Sequence, residues 1–228
     1  MKKTFLLSCL MLAAMPVMAA YTGRVYVDKN KNGVFDPGEK TWAGIKVSDG
    51  LNVVETAADG SFTLPGHERE RFIFITTPSG YKTFNRHYHK IEKKQSGYDF
   101  GLMPYSGRIR KDGSHKYIHI ADTEIFNTEN HADWVNNVRD YARNEQAAFI
   151  IHTGDICYEK GLKAHIKLMN TENMDCPVFY CIGNHDLVKG KYGEELFESI
   201  YGPVYYSFDA GNVHYIVTVS YTHLRAHE

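Results

Sequence analysis

The sequence predicts an all-β unit followed by an α/β unit, and two observations support this division. As far as Phe100 the chain consists of short segments rich in β-branched and aromatic residues, separated by Gly, Asp and Pro. From Lys116 onward, apolar segments of strand length alternate with segments of helical length. The first pattern is typical of a β-sandwich of immunoglobulin or transthyretin type, and the second of a sheet whose strands are joined by helices. We therefore expect a β-sandwich over 21–105 and an α/β domain over 106–228.

Length and charge set wide limits on function. The chain has 228 residues, enough for one large domain or two smaller ones that each bury a core. The 26 Lys and Arg residues nearly balance the 27 Asp and Glu residues, so the formal net charge is −1. No long basic stripe is present, and charge therefore gives no indication of a nucleic acid or an anionic membrane surface as a partner.

The N-terminus predicts export. Two lysines follow Met1, the segment from Phe5 to Val17 is mostly apolar, and small residues precede Tyr21. This is the pattern of a signal peptide over 1–20, so we expect a secreted or periplasmic protein with no membrane span after cleavage. An uncleaved anchor is the alternative, for which the apolar segment is short. Export permits disulfides, but the three remaining cysteines (Cys157, Cys176 and Cys181) predict free or buried thiols.

A twelve-residue loop in the β unit has the spacing of a calcium site. Oxygen-bearing side chains occupy positions 1, 3, 5, 9 and 12 of the loop, and Gly33 occupies position 6, where a sharp turn is needed. We therefore predict a structural calcium ion; the alternative is a polar turn rich in Asn, Asp and Gly. The predicted ligands are Asp28, Asn30, Asn32, Val34 through its backbone carbonyl, Asp36 and Glu39.

The segment 80–105 is rich in Tyr, Phe and His. Aromatic residues alternating with basic ones are typical of a surface that binds a glycan or a single nucleic-acid strand. The simpler interpretation is that the segment covers the seam between two domains. His87 and His89 have a strand-like spacing that would place them on one face, but without a third partner they do not make a metal site.

Polar residues follow three predicted strands of the α/β unit. The strands at 116–121, 147–153 and 177–182 are followed by Asp122-Thr-Glu124, by Asp155 and by Asn184-His185-Asp186. The carboxyl ends of parallel strands lie on one rim of the sheet, where ligands collect, so we expect these residues to converge. The intervening segments predict helices over 129–144, 161–171 and 194–200, the first burying Trp134, Val138 and Tyr141, and two strands over 204–220.

These strand ends resemble the opening motifs of the calcineurin-like metallophosphoesterase family, and the preceding β unit is similar to the N-terminal domain of its secreted bacterial members. The resemblance implies hydrolysis of phosphomonoesters or phosphodiesters by a water that two divalent transition metals (Mn, Fe or Zn) activate. It implies the following roles: Asp122 and Asn184 bind one metal each, and Asp155 bridges them. His185 protonates the leaving oxygen or stabilises the charge that develops on the phosphate, and Asp186 orients the His185 imidazole.

Two departures from the family pattern affect the predicted metal site. The family has histidine two places after its first aspartate, where this chain has Glu124. A carboxylate is able to bind these metals with an altered metal preference, and the alternative is that Glu124 is not a ligand. The family's later Gly-His-x-His element is absent, and 222–228 (THLRAHE) resembles sequencing-adaptor read-through. We therefore expect the natural frame to be lost near Ser220, leaving an incomplete α/β domain with little phosphatase activity.

Two functions remain open on the sequence. The first is a metal-dependent phosphoesterase whose partner is a small phosphoester or a phosphorylated surface glycan or lipid. The second is a calcium-stabilised β-module for adhesion or glycan binding, fused to an inactive phosphoesterase remnant. Metal-dependent release of phosphate favours the first, and calcium-dependent glycan binding by the β unit favours the second.

Overall fold

The computed structural model describes residues 20–93, 95, 97–105, 108–188 and 190–219. Residues 1–19 of the predicted signal peptide (1–20) and the residues from Ser220 onward, with His223 and His227, lie outside these ranges. Among the described residues no helix is both long and apolar enough to cross a membrane.

Residues 20–104, here called the β region, form eight strands in two four-stranded sheets. The strands are β1 (Ala20–Val27), β2 (Lys46–Ser48), β3 (Val53–Glu55), β4 (Ser61–Pro65), β5 (Phe72–Ile75), β6 (Tyr81–Thr83), β7 (Tyr88–Lys90) and β8 (Phe100–Pro104). One sheet has the order β4-β1-β8-β6, with β1 and β8 parallel, and the other has the antiparallel order β3-β2-β5-β7. The immunoglobulin or transthyretin type of this region stays a prediction.

One buried cluster joins the two sheets of the β region. Val25, Leu64 and Leu102 come from the first sheet, and Val47 and Ile75 come from the second. These strands bury alternate side chains, as in β4, where Phe62 and Leu64 are buried and their neighbours are not. The cluster therefore holds the strands in register, because a shift by one residue would expose the apolar set.

Residues 117–217, here called the α/β region, contain the predicted parallel sheet. The elements are β9 (Tyr117–Ile120), α1 (Ala132–Asn144), β10 (Phe149–His152), α2 (Glu159–Leu168), α3 (Thr171–Met174), β11 (Val178–Tyr180), α4 (Glu195–Tyr201), β12 (Tyr206–Ala210) and β13 (Val213–Val217). The sheet order is β11-β10-β9 with all pairs parallel, and β12 and β13 form an antiparallel hairpin. All predicted strands and helices of this region are present, with bounds shifted by a few residues.

The buried face of α1 differs from the prediction. Trp134 and Tyr141 are 41% and 61% exposed, whereas Val135 and Ala142 are buried and Val138 packs against them from a half-buried position. Positions 135, 138 and 142 share one face of a helix, so the periodicity was right and its phase was wrong. The buried face of α1 thus carries small and medium-sized side chains, and the two large aromatic side chains are exposed.

The β region and the α/β region share a core. Phe72 and Phe74 of β5 join the cluster that Phe179 and Phe208 of the α/β region form. Thr77 forms a parallel bridge with Phe208. At the edge of this contact, the Arg71 guanidinium donates to Oε1 of the buried Glu198 at 2.6 Å. The two regions are thus tied together by apolar burial and by an ion pair.

Part of the aromatic segment 80–105 lies in this contact, as its simpler interpretation predicted. The His87 ring is 4.5 Å from the Tyr206 ring, and Tyr88 belongs to the shared core. His89 instead packs against Phe100 of the β region, and its Nε2 atom lies 2.7 Å from the carbonyl of Asp99. The two histidines therefore serve different clusters and do not share a face.

Candidate functional site

The loops after β9 and β10 are joined by backbone hydrogen bonds. The N–H of Asp122 donates to the carbonyl of Gly154 at 3.2 Å, and the N–H of Thr153 donates to the carbonyl of Ile120 at 2.9 Å. Asp122 and Asp155 therefore stand on adjacent parts of one rim, as parallel strands require.

The loops after β10 and β11 are joined through Asp155. Its Oδ1 atom accepts a hydrogen bond from the backbone N–H of His185 at 3.0 Å. This contact spans thirty positions of sequence and brings the second and third strand-end motifs together. Asp155 and His185 are both half-buried, so each side chain has one part held by protein and another part open to solvent.

Asp186 is buried beneath the rim, and its carboxylate holds three backbone N–H groups. Oδ1 accepts from Ile156 at 2.8 Å and from Cys157 at 3.0 Å, and Oδ2 accepts from Gly183 at 2.8 Å. Burial raises the pKa of Asp186 to about 6, and the three hydrogen bonds oppose that shift. The hydrogen bonds of this carboxylate thus go to the backbone of two loops, and its predicted role in orienting the His185 imidazole stays a prediction.

The rim has an unusual backbone. Six non-glycine residues among those described have positive φ, and three of them are Asp122 at 53°, Glu124 at 45° and Asp155 at 50°. The left-handed conformation costs an L-residue about 1 kcal/mol or more, and it concentrates at functional sites. Here it follows β9 and β10, where it turns the chain and leaves a carboxylate at the edge of the sheet.

Two glycines allow the rim loops to approach each other. A Cβ atom on Gly183 would lie 2.1 Å from the backbone nitrogen of Asp155, and one on Gly154 would lie 2.6 Å from the nitrogen of Gly183. Gly154 also has a φ of 102°, which disfavours any other residue. Gly154 and Gly183 are therefore required by the close contact between the two loop backbones that positions Asp155.

A hydrogen-bonded pair beneath the rim, His152 and Thr123, was not predicted. The buried His152 accepts from the N–H of Gly154 at Nδ1, so its Nε2 carries the proton and donates to the Thr123 hydroxyl at 2.9 Å. Thr123 in turn donates to the carbonyl of Ile156 at 3.3 Å. Burial lowers the pKa of His152 to about 4 and keeps the ring neutral. The sequence feature that could have indicated this pair is a histidine, His152, within an otherwise apolar strand.

Tyr158 is a second unpredicted residue of the rim. Its ring stacks on the His185 imidazole, with 5.1 Å between centroids and 19° between planes. Tyr158 lies at the start of α2, directly after Cys157, whose N–H is held by Asp186. The predicted proton donor therefore has an aromatic neighbour fixed beside it.

The predicted metal ligands share the rim, but they do not form a complete site. Asp122, Glu124 and Asn184 are exposed, and Asp155 keeps one carboxylate oxygen free of the bond to His185. Oxygen donors of this kind suit divalent metals. Within the described ranges, however, no three His, Cys, Asp or Glu side chains lie close enough together to hold an ion. The donor chemistry fits a metal, and the full ligand set is not assembled from these residues.

The loop predicted to bind calcium is closed by its own side chains. The buried Asp28 accepts from the N–H groups of Lys31 and Gly33, and Glu39 accepts from that of Lys29. Asp36 Oδ2 accepts from the amide groups of Asn30 at 2.7 Å and Asn32 at 2.8 Å, and these bonds lower its pKa. Side chains from loop positions 3, 5 and 9 therefore meet at one point.

A cavity of about 550 Å³ lies between the β region and the α/β region, away from the predicted site residues. Its walls come from the segments 49–51, 67–74 and 198–205 and include Arg71 and Glu198.

Comparisons with protein-family models give two matches. Residues 29–105 match the model described as the N-terminal part of calcineurin-like phosphoesterases, and residues 115–224 match the model of the calcineurin-like phosphoesterase domain. A comparison with curated proteins finds no match to the chain. The second family match includes all six predicted residues of the rim, and the first includes all but Asp28 of the predicted calcium ligands.

Proposed function

We propose a metal-dependent phosphoesterase activity for this chain, which belongs to the calcineurin-like phosphoesterases, and we expect that activity to be low because the described residues do not assemble a complete ligand set. The observation that carries the proposal is the contact between Asp155 and the His185 backbone. It joins the loop that carries a half-buried carboxylate to the loop that carries a half-buried imidazole, on the rim of a parallel sheet. Metal-dependent hydrolysis of a phosphoester uses metal-binding carboxylates and a proton donor on the same face of the protein.

The residues of the rim divide into three tasks under this proposal. Asp122, Glu124, Asp155 and Asn184 would hold divalent metals, and their oxygen donors together with a nearby imidazole favour Mn, Fe or Zn. When bound, the metals supply an acidified water and positive charge for the phosphate oxygens. His185 donates a proton to the leaving oxygen. Asp186 keeps the loops that carry Asp155 and His185 in place through its three backbone hydrogen bonds.

The substrate class and the location follow from the sequence expectations. We propose that the substrate is a phosphomonoester or phosphodiester, carried by a small molecule or by a phosphorylated surface glycan or lipid. The signal-peptide pattern supports a secreted or periplasmic location. We also propose that the chain is organised as a β domain over 21–105 and a phosphoesterase domain over 106–228.

Calcium is proposed as a structural ion of the β region. The side chains of Asn30, Asn32 and Asp36 meet at one point, where a cation would replace the amide-to-carboxylate hydrogen bonds. Rotating each amide by 180° would present both oxygens to the ion, and it would exchange for ion contacts the hydrogen bonds that these oxygens accept from the N–H groups of Asn32 and Val34. Asp28 and Glu39, which hold the loop backbone, would supply charge from its two ends.

The test of the proposed function measures metal binding and hydrolysis separately. The full chain is titrated with Mn²⁺ by calorimetry, and it is assayed with p-nitrophenyl phosphate and bis-p-nitrophenyl phosphate in the presence of Mn²⁺, Fe²⁺ or Zn²⁺. We expect Asp155→Asn to weaken Mn²⁺ binding at least tenfold and to abolish metal-dependent hydrolysis. The matched control is Asp140→Asn, an exposed carboxylate of α1 that should change neither property. Hydrolysis that persists in Asp155→Asn would contradict the proposal.

A further inference from the structure

Three large aromatic side chains are exposed beside the candidate site. Phe126, Trp134 and Tyr158 are 54%, 41% and 53% exposed. They follow the carboxyl ends of β9 and β10, in the two loops and the first turn of α1, so all three lie toward the rim. Single exposed apolar residues are normal on protein surfaces, but several at the edge of a candidate site indicate a surface for a ligand.

Tyr158 is held in a fixed position in this set. Its carbonyl accepts from the N–H groups of Gly161 at 2.8 Å and Leu162 at 3.2 Å, which begins α2. The preceding N–H, that of Cys157, donates to Asp186. One face of the ring is against His185. The ring therefore loses little freedom when a ligand contacts its exposed part.

Phe126 comes from the loop after β9 and lies near the same helix start. The carbonyl of the preceding residue, Ile125, is 2.7 Å from the position of a Cβ atom on Gly161 of α2. The loop after β9 thus touches the first turn of α2, directly after Tyr158. Since Phe126 has no hydrogen-bonding side-chain group, its exposed ring offers only an apolar aromatic surface.

We propose that Tyr158 is a specificity-determining residue that selects phosphoesters whose leaving group carries a planar aromatic ring, with Phe126 extending the same surface. The proposal rests on the proposed function, because His185 is the group that protonates the leaving oxygen. With His185 in that role, a side chain stacked on its ring lies beside the leaving group. Stacking of a planar ring on an exposed aromatic side chain is favourable and tolerates many ring types.

The test compares two substrates that have the same kind of leaving oxygen. Adenosine 5′-monophosphate and ribose 5-phosphate both release a primary alcohol, and they differ in that only the first carries an aromatic base. We expect the full chain with Mn²⁺ to show a kcat/KM at least tenfold higher for adenosine monophosphate. Tyr158→Ala should reduce this ratio to near one, and Tyr158→Phe should preserve it. The control is Tyr141→Ala, an exposed tyrosine near the far end of α1.

A positioning role alone would give a different result. If Tyr158 only oriented His185, its removal would slow both substrates equally and leave their ratio unchanged, which would overturn the proposal. The same two ligands are also titrated by calorimetry, so a chain without turnover still gives a ratio of affinities. A wild-type ratio near one, or no binding of adenosine monophosphate, would overturn the proposal. Loss of all metal-dependent hydrolysis with the affinity ratio retained would contradict only the proposed function.

Discussion

The Oδ1 atom of Asp186 accepts the backbone N–H of Ile156 at 2.8 Å, across thirty positions of sequence. With the bonds from Cys157 and Gly183, this buried carboxylate joins the loop after β10 to the loop after β11. Asp155 is the residue directly before Ile156, and His185 is the residue directly before Asp186. The geometry of the candidate site therefore depends on a carboxylate that lies beneath it.

Replacing Asp186 should destabilise the protein and release the rim. Asp186→Ala leaves three N–H groups without their acceptor, and we expect a loss of roughly 2–4 kcal/mol in the free energy of unfolding. Asp186→Asn retains only one acceptor oxygen and should also be destabilised. Urea unfolding measures the loss, and hydrogen exchange at Ile156, Cys157 and Gly183 locates it. Unchanged protection of these three amides in Asp186→Ala would show that the carboxylate does not hold the loops.

Gly183→Ala should displace Asp155. The new Cβ atom would lie 2.1 Å from the Asp155 nitrogen and 2.3 Å from its Oδ1 atom, so the backbone has to move. We expect a lower melting temperature and at least tenfold weaker Mn²⁺ binding. Gly97→Ala is the matched control, because Gly97 has open space around it and φ outside the left-handed region. Equal Mn²⁺ affinities in the two variants would contradict the proposed close approach.

Stability should fall as the pH is lowered from about 6.5 to about 4. Burial lowers the pKa of His87 and His152 to about 4 and lowers that of His165 as well. The unfolded chain binds these protons below its ordinary histidine pKa of about 6.5, while the folded chain does not. The raised pKa of Asp186 has the opposite effect on stability, but it is one group against three histidines.

His165 gives the variant for this pH test. The Tyr201 hydroxyl donates to the carbonyl of Leu162, so Nδ1 of His165 must donate to that hydroxyl, at 3.0 Å. His165→Gln keeps an N–H donor but cannot titrate, and its stability should therefore fall less between pH 7 and pH 5. The measurement is urea unfolding at both pH values. Equal pH dependence of wild type and variant would exclude His165 as a contributor.

Calcium should stabilise the β region. An ion that binds only the folded state adds about 2.7 kcal/mol at one hundred times its dissociation constant, and thermal unfolding with Ca²⁺ or with a chelator measures this gain. Asp36→Ala removes the acceptor at which Asn30 and Asn32 meet, so the gain should disappear. Asp140→Ala, outside the loop, should retain it. A wild-type melting temperature that does not respond to Ca²⁺ would contradict the proposed ion.

The fold of the α/β region followed from local sequence signals. Apolar segments that end in Gly predict β10 and the strand before Asn184, because a buried parallel strand needs apolar residues on both faces and a turn at its end. The segment 80–105 did not predict β6, β7 and β8. Two of these strands have only three residues, and β8 pairs in parallel with β1, some 75 positions earlier. Such strands form because distant strands offer backbone partners, which no local pattern encodes.

The sequence by itself determined which polar residues reach the rim, because a parallel sheet brings all strand ends to one edge. Only the tertiary structure decided what each side chain does there. The Asp186 carboxylate contacts the backbone of two loops, Trp134 faces outward, and Tyr158 stacks on His185. The outcomes for Asp186 and Tyr158 depend on contacts between residues about thirty positions apart, and on the space that Gly154 and Gly183 leave for the loops to meet. Hydrogen bonds and ring contacts of that range are set by packing, whereas strand ends are set by local chain chemistry.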